Sequence, residues 1–143
     1  MVRIFINGYG NIGRRLATAI SKDKSIELIG VAKYSPDGET QNALDKGYNV
    51  FVPSEMKEGF QNKNFKISGT VEDAINQADI IIDAAKEGKG FQNKNKYYTP
   101  LKKKAIFQGG EDRNGRFSVA DIIHNSRVNY NETYEKEYVI QGS

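Results

Sequence analysis

Three glycines, Gly8, Gly10 and Gly13, constrain this chain more than any other feature. They follow a β-branched and aromatic run, Val2 to Ile6 (VRIFI), and they open a segment of helical periodicity. Asn7-Gly8 is the punctuation expected where a strand ends in a tight turn. From Asn11 the apolar residues Ile12, Leu16, Ala19 and Ile20 recur at helical spacing, with Arg14, Arg15 and Lys22 between them, which predicts one buried and one wet face. Ile26 to Ala32 (IELIGVA) reads as a second strand. Strand, helix and strand within about 30 residues make a βαβ unit, with parallel strands and a right-handed crossover.

The alternation continues downstream. Thr40 to Lys46 predicts a short helix before Gly47, and Tyr48 to Val52 a strand closed by Pro53. Thr70-Val71-Glu72-Asp73 has the pattern of a capping box, with Asp in place of the usual Glu, and opens a short helix. That helix leads into Asp79 to Ala85, whose consecutive isoleucines predict a strand buried on both faces. A helix is expected over Asn95 to Lys104, with Pro100 inside it, then strands at Ala105 to Gln108, Ser118 to Ile123 and Tyr138 to Gln141 around a short helix near Asn131 to Lys136. The fold class predicted is α/β: a doubly wound, mostly parallel sheet of Rossmann type with helices on both faces, as a single domain over residues 1–143. The pentapeptide Phe-Gln-Asn-Lys-Asn occurs at Phe60 to Asn64 and at Phe91 to Asn95 in different flanks and is read as coincidence.

Composition removes several kinds of chemistry. The chain has no cysteine, so it supplies no disulfide, thiolate metal ligand or thiol nucleophile, and its one histidine, His124, excludes zinc sites built on two or three histidines. Hydrophobic residues make up 38% and mean hydropathy is −0.64, polar yet well short of a disordered composition. No apolar stretch approaches the ~20 residues of a membrane span, and Met1 to Ile6 lacks a charged-then-apolar signal, so the expectation is a soluble cytoplasmic protein without a membrane partner. A net charge of +3 does not single out nucleic acid as a partner. Lys102-Lys103-Lys104 reads as a wet helix end suited to the helix dipole. Tyr97, Tyr98, Tyr130, Tyr134 and Tyr138 read as packing under the sheet, and His124 as a satisfied or surface residue. Asp79 and Asp83 bracket a strand without an acid or base partner in sequence. No nucleophile adjoins a base, so no catalytic residue and no metal ligand is predicted.

The glycines carry the binding chemistry. Gly8 permits the tight turn, Gly10 lets the backbone approach a diphosphate, and Gly13 lets the helix pack closely on the strand, while unpaired N–H groups at the helix start meet the negative charge. In NAD sites an Asp or Glu at the tip of the second strand, about 20 residues past the glycines, accepts hydrogen bonds from the adenosine ribose. Lys33 holds that place here. A cation would pair with a 2′-phosphate, which predicts NADP as the preferred cofactor, with NAD also accepted.

Several blocks then become recognisable as a set: Ile6 to Arg15, Gly30 to Lys33, Lys46 to Tyr48, Gly69 to Asp73, Ala78 to Asp83, Ala105 to Glu111 and Asn129 to Glu132. In this order they resemble the amino-terminal half of archaeal-type glyceraldehyde-3-phosphate dehydrogenase. The resemblance implies a cytoplasmic, homo-oligomeric, phosphorylating dehydrogenase that oxidises glyceraldehyde 3-phosphate with NADP or NAD, using a cysteine nucleophile and a distant histidine. Carried over by position, Asn11 and Ile12 match cofactor contacts, Lys33 the 2′-phosphate side, and Gly109 and Gly110 the lining of the cofactor cleft. Ser143 aligns with the serine on the substrate side, just before the family's nucleophilic cysteine. Because this chain contains no cysteine, it is expected to be inactive alone and to work with a carboxy-terminal catalytic half, in cis or in trans. One departure from the family is Ala84-Ala85-Lys86-Glu87-Gly88-Lys89-Gly90, where Thr-Pro followed by Gly-x-Gly is frequent. Two other readings stay open: a stand-alone nucleotide- or RNA-binding module, and the Rossmann half of another aldehyde or semialdehyde dehydrogenase.

Overall fold

The computed structural model describes residues 1–86 and 88–108, and the backbone of residues 138–140. Its strands are β1 (Val2–Asn7), β2 (Ile26–Ala32), β3 (Val50–Val52), β4 (Gly69–Thr70), β5 (Ile80–Asp83), β6 (Lys104–Phe107) and β7 (Tyr138–Ile140). Between them run α1 (Asn11–Ser21), α2 (Gly38–Asp45), α3 (Lys57–Asn62), α4 (Val71–Gln77) and α5 (Lys89–Asn93), the last continued by a π-helical stretch, Lys94–Tyr98. All seven strands join one sheet in the order β4-β3-β2-β1-β5-β6-β7, and every pairing is parallel. The chain builds outward from β1 on one side, crosses after α4, and builds outward again from β5. Strand order therefore reverses at β1, and a crevice opens at the carboxyl ends of β1, β2 and β5.

Alternation along the strands sends side chains into two cores. Phe5 and Ile81 point to one face and pack with Val71, Ala74 and Ile75 of α4 and with Tyr97 and Tyr98. Ile4, Ile6 and Ile82 point to the other and pack with Ala17 and Ile20 of α1, Ala43 of α2 and Phe60 of α3. Each fully buried side chain of this size contributes about 1.5–3 kcal/mol of transfer free energy. The β1–β2 register shifts between Ile4, which pairs with Leu28, and Phe5, which pairs with Gly30. A Cβ on Gly30 would come 2.5 Å from the Asn49 carbonyl and 2.6 Å from the Phe51 ring.

Local chemistry sets the helix starts. Thr70 Oγ1 accepts from Asp73 N at 3.1 Å, and Asp73 Oδ2 accepts from Thr70 N at 3.0 Å, so the box read from the sequence opens α4. A second box, Asp37 with Thr40, opens α2 at Gly38, two residues before the predicted start. The predicted strand from Tyr48 begins only at Val50.

Two expectations are corrected. The helix placed at Asn95 to Lys104 lies earlier, because Pro100 has no N–H to donate. Residues 99–102 are turn, Lys102 adopts a left-handed φ of 55°, and Lys104 already belongs to β6. In α1 the buried stripe is Gly13, Ala17 and Ile20, whereas Ile12 is 51% exposed, Ala19 is exposed and Leu16 is only half-buried. The close approach of the helix start to Gly8 dictates this phase, since Gly13 must face the strand. The lysine cluster serves a helix dipole, but that of α4: Lys103 Nζ donates to the carbonyls of Asn76 at 3.2 Å and Ala78 at 2.8 Å. Both copies of the repeated pentapeptide begin in helices, α3 and α5. The strand and helix expected within 118–136, together with His124, Tyr130 and Tyr134, lie outside the described residues, as do the side chains of 138–140.

Candidate functional site

A cleft of about 710 Å³ occupies the crevice at the strand reversal. Its floor is the glycine turn, Gly8 to Asn11. Gly8 has φ +133°, and a Cβ there would come 2.9 Å from the Ala84 carbonyl, so this turn requires glycine. Gly13 lies behind the floor, where a Cβ would fall 2.4 Å from the Gly8 carbonyl oxygen. Gly10 is the opposite case, lining the cleft with no protein atom within 4 Å of a built Cβ. Gly10 is also the N-cap of α1, and the helix start has neither a side-chain cap nor an acidic residue in its first turn. Its first N–H groups are therefore unpaid by side chains and carry the positive end of the dipole toward the cleft.

One wall comes from β2 and the loop after it. Lys33 lines the cleft yet is only 8% exposed, and its Nζ lies 3.0 Å from Asp37 Oδ1. The other wall, from the end of β5 through α5 and the π-helical stretch, adds Lys86, Lys89 and Lys96, and Lys96 Nζ sits 5.0 Å from the centre of the Tyr97 ring. Among the described lining residues the acids are Glu39 and Glu55. Glu39 is engaged by Arg14 at 3.2 Å. The cleft balance is thus cationic, four lysines to two glutamates, which suits a polyanionic ligand.

From Tyr34 in the cleft wall a polar chain runs inward through the buried Asn7, Tyr98 and Asp83 and ties the strand ends together. Tyr34 Oη donates to Asn7 Oδ1 at 2.5 Å, Asn7 Nδ2 donates to Tyr98 Oη at 2.8 Å, and Tyr98 Oη donates to Asp83 Oδ2 at 2.5 Å. Asn93 Nδ2 and the Ala85 N–H also donate to the Asp83 carboxylate, at 3.0 and 3.1 Å. Burial, reinforced by the Asp83 charge, pushes the Tyr98 hydroxyl well above the usual phenol range, and burial does the same to Tyr34, so both remain donors at neutral pH. Asp79 is different: it sits at the exposed start of β5 and accepts from Arg3 N at 2.8 Å.

Of the residues singled out from the sequence, Gly8, Gly10, Asn11 and Lys33 come together in the cleft. Gly13 supports the floor, Ile12 projects from the exposed start of α1 outside the lining, and Gly109, Gly110 and Ser143 lie outside the described residues. Sequence reasoning missed Asp37, the Asn7–Tyr98 link and the lysines of the second wall. Asp37 carried a usable signal, an Asp at an N-cap four residues after Lys33. Asn7 and Tyr98 are 91 residues apart, and nothing local joins them. Among the described residues no cluster of metal-ligating side chains occurs, and no helix is long and apolar enough to cross a membrane.

No protein-family profile matches the chain. Glyceraldehyde-3-phosphate dehydrogenase of Sulfolobus acidocaldarius is 45% identical over 138 residues, those of Saccharolobus solfataricus and Pyrobaculum calidifontis 41% and 37% over 139. These alignments cover 96–97% of this chain but 39% of each relative, so the chain spans about two-fifths of their length. Among solved structures, an NAD-binding protein from Listeria innocua superposes with a TM-score of 0.53 at 15% identity, over 75% of this chain and 27% of that one, which shows a shared Rossmann-like fold. In sequence, then, the chain is similar over nearly its whole length to the amino-terminal part of archaeal glyceraldehyde-3-phosphate dehydrogenases.

Proposed function

We propose that residues 1–143 form the coenzyme-binding domain of a cytoplasmic, phosphorylating glyceraldehyde-3-phosphate dehydrogenase that prefers NADP(H) and also takes NAD(H). The observation that carries this reading is the uncapped start of α1 beside Gly10, open to the cleft, with Lys33 at the tip of the neighbouring strand. The diphosphate would lie on Gly8, Gly10 and the first N–H groups of α1, including that of Asn11, and the adenosine ribose would lie toward Lys33. Ile12 and Gly13 complete the turn, and by the family resemblance Gly109 and Gly110 belong to the lining of the coenzyme cleft.

The bound coenzyme supplies a hydride acceptor, while the nucleophile comes from elsewhere, because this chain contains no cysteine. By the family resemblance, a carboxy-terminal catalytic portion in cis or in trans completes the enzyme, Ser143 belongs to the substrate side, and the complete enzyme is a homo-oligomer. The 143 residues alone bind coenzyme without turnover.

Titration calorimetry of the folded chain with NADPH and NADH tests the reading. Both should bind, NADPH more tightly, and binding of neither would refute it. Lys33→Gln removes the charge without setting a second carboxylate beside Asp37. It should weaken NADPH by about 1.5–3 kcal/mol, the strength of one well-ordered charge-assisted contact, and leave NADH almost untouched. Equal losses for both would remove Lys33 from the 2′-phosphate role.

A further inference from the structure

Lys33 does not present a free ammonium to the cleft. Its Nζ lies 3.0 Å from Asp37 Oδ1 and 3.3 Å from Oδ2. Lys33 lines the cleft, whereas Asp37 is absent from the lining and stands behind it at the N-cap of α2. Asp37 is also held independently of the lysine. Its Oδ1 accepts from Thr40 N at 3.2 Å, and Ser35 Oγ approaches Oδ2 at 3.4 Å. Burial raises the Asp37 carboxyl, but hydrogen bonds from Lys33 and Thr40 outweigh it and hold the group below the usual carboxylate range. An ionised carboxylate is thus held at a helix start by Thr40 as well as by Lys33.

Resting on the coenzyme reading above, we infer that Asp37 is a positioning residue for coenzyme choice: acting through Lys33, it restrains the preference for a phosphorylated over an unphosphorylated adenosine ribose. An ammonium has three donors and one charge. A 2′-phosphate that shares those donors must sit close to the Asp37 carboxylate, and the like charges oppose one another in a partly desolvated site. A coenzyme with a free 2′-hydroxyl adds no charge there and meets no such opposition. The acid nearest in sequence on the same wall, Glu39, is itself paired with Arg14 at 3.2 Å. Asp37 is therefore the carboxylate that bears directly on Lys33 among the described residues.

Asp37→Asn tests this cleanly, because asparagine caps a helix about as well as aspartate and still accepts from Thr40 N. Calorimetry on the 143-residue chain should show NADPH binding about tenfold more tightly than to the parent, with NADH nearly unchanged. The coenzyme-free variant should melt earlier, since buried Lys33 has lost its counter-charge, and NADPH should recover more of the loss than NADH does. Asp37→Ser, a second capping residue without charge, should reproduce the shift in ratio. A merely structural role would move both affinities together. An unchanged NADPH-to-NADH ratio in both variants, or a selective weakening of NADPH, overturns the inference while leaving the coenzyme reading intact. Failure of the parent chain to bind either coenzyme overturns both.

Discussion

Gly10 and Gly13 stand three residues apart in one motif, yet the structure gives them opposite roles, and paired alanine substitutions separate the two. At Gly13 the added Cβ would lie 2.4 Å from the Gly8 carbonyl oxygen. Relieving that contact to an ordinary carbon–oxygen separation of about 3.3 Å means prising α1 from the end of β1 by roughly 1 Å. Overpacking against backbone belongs at the upper end of the usual range, about 3 kcal/mol. For a chain of this size that is a fall in melting temperature of about 10 °C. At Gly10 φ is −85° and ψ −159°, open to any residue, and nothing lies within 4 Å of the new methyl. Lower entropy of the unfolded chain, about 0.4–1 kcal/mol, opposes the loss of a good N-cap, so stability should stay within about 1 kcal/mol of the parent. Gly10 nevertheless lines the cleft, and on the proposed coenzyme reading a methyl there would occupy the path by which a diphosphate reaches the α1 N–H groups. Coenzyme affinity should drop at least about tenfold, or 1.4 kcal/mol. Thermal denaturation followed by circular dichroism, together with calorimetry, reads both effects. A Gly10→Ala chain that binds NADPH as the parent does would refute the assignment of the cleft floor.

Tyr98→Phe should cost about 1–3 kcal/mol in urea denaturation, because it leaves Asn7 Nδ2 and one contact of the buried Asp83 carboxylate unmet. A loss indistinguishable from zero would mean that the polar chain under the cleft contributes nothing to holding β1 and β5. Acid sensitivity follows from the carboxylates. Hydrogen bonds from Thr70 hold Asp73 below its ordinary value, and Asp37 is likewise lowered. A folded-state value below the unfolded one contributes stability that is complete above the unfolded value, about 3.9, and is lost as pH falls through the folded one. Melting temperature should therefore be insensitive to these groups above about pH 5 and decline below about pH 4. A melting temperature that rises on acidification below pH 4 would contradict the sign of these shifts.

What the sequence disclosed, and what it hid, divides along sequence separation. VRIFI was legible as a β-branched and aromatic run before a turn, IELIGVA as the second strand of a βαβ unit, and the isoleucines at 80–82 because a parallel strand buried on both faces needs apolar residues without interruption; the cores on the two faces bear this out. Thr70 to Asp73 was legible because a capping box closes within one turn of helix. The phase of α1 was not, because Ile12 looks like a core residue until Gly13 is seen pressed onto Gly8, and that contact decides which side of the helix faces the sheet. The site divides in the same way. Gly8, Gly10 and Lys33 announce themselves by spacing, but the reach of Lys33 depends on Asp37, whose hold on it requires the loop to fold back before α2 begins. The contacts that distant segments make under the cleft, such as that of Asn7 with Tyr98, hold the ends of β1 and β5 at a fixed separation. It follows that the motif can point to a dinucleotide as ligand, whereas the proposed choice between two dinucleotides would rest on a pairing that only the folded loop creates.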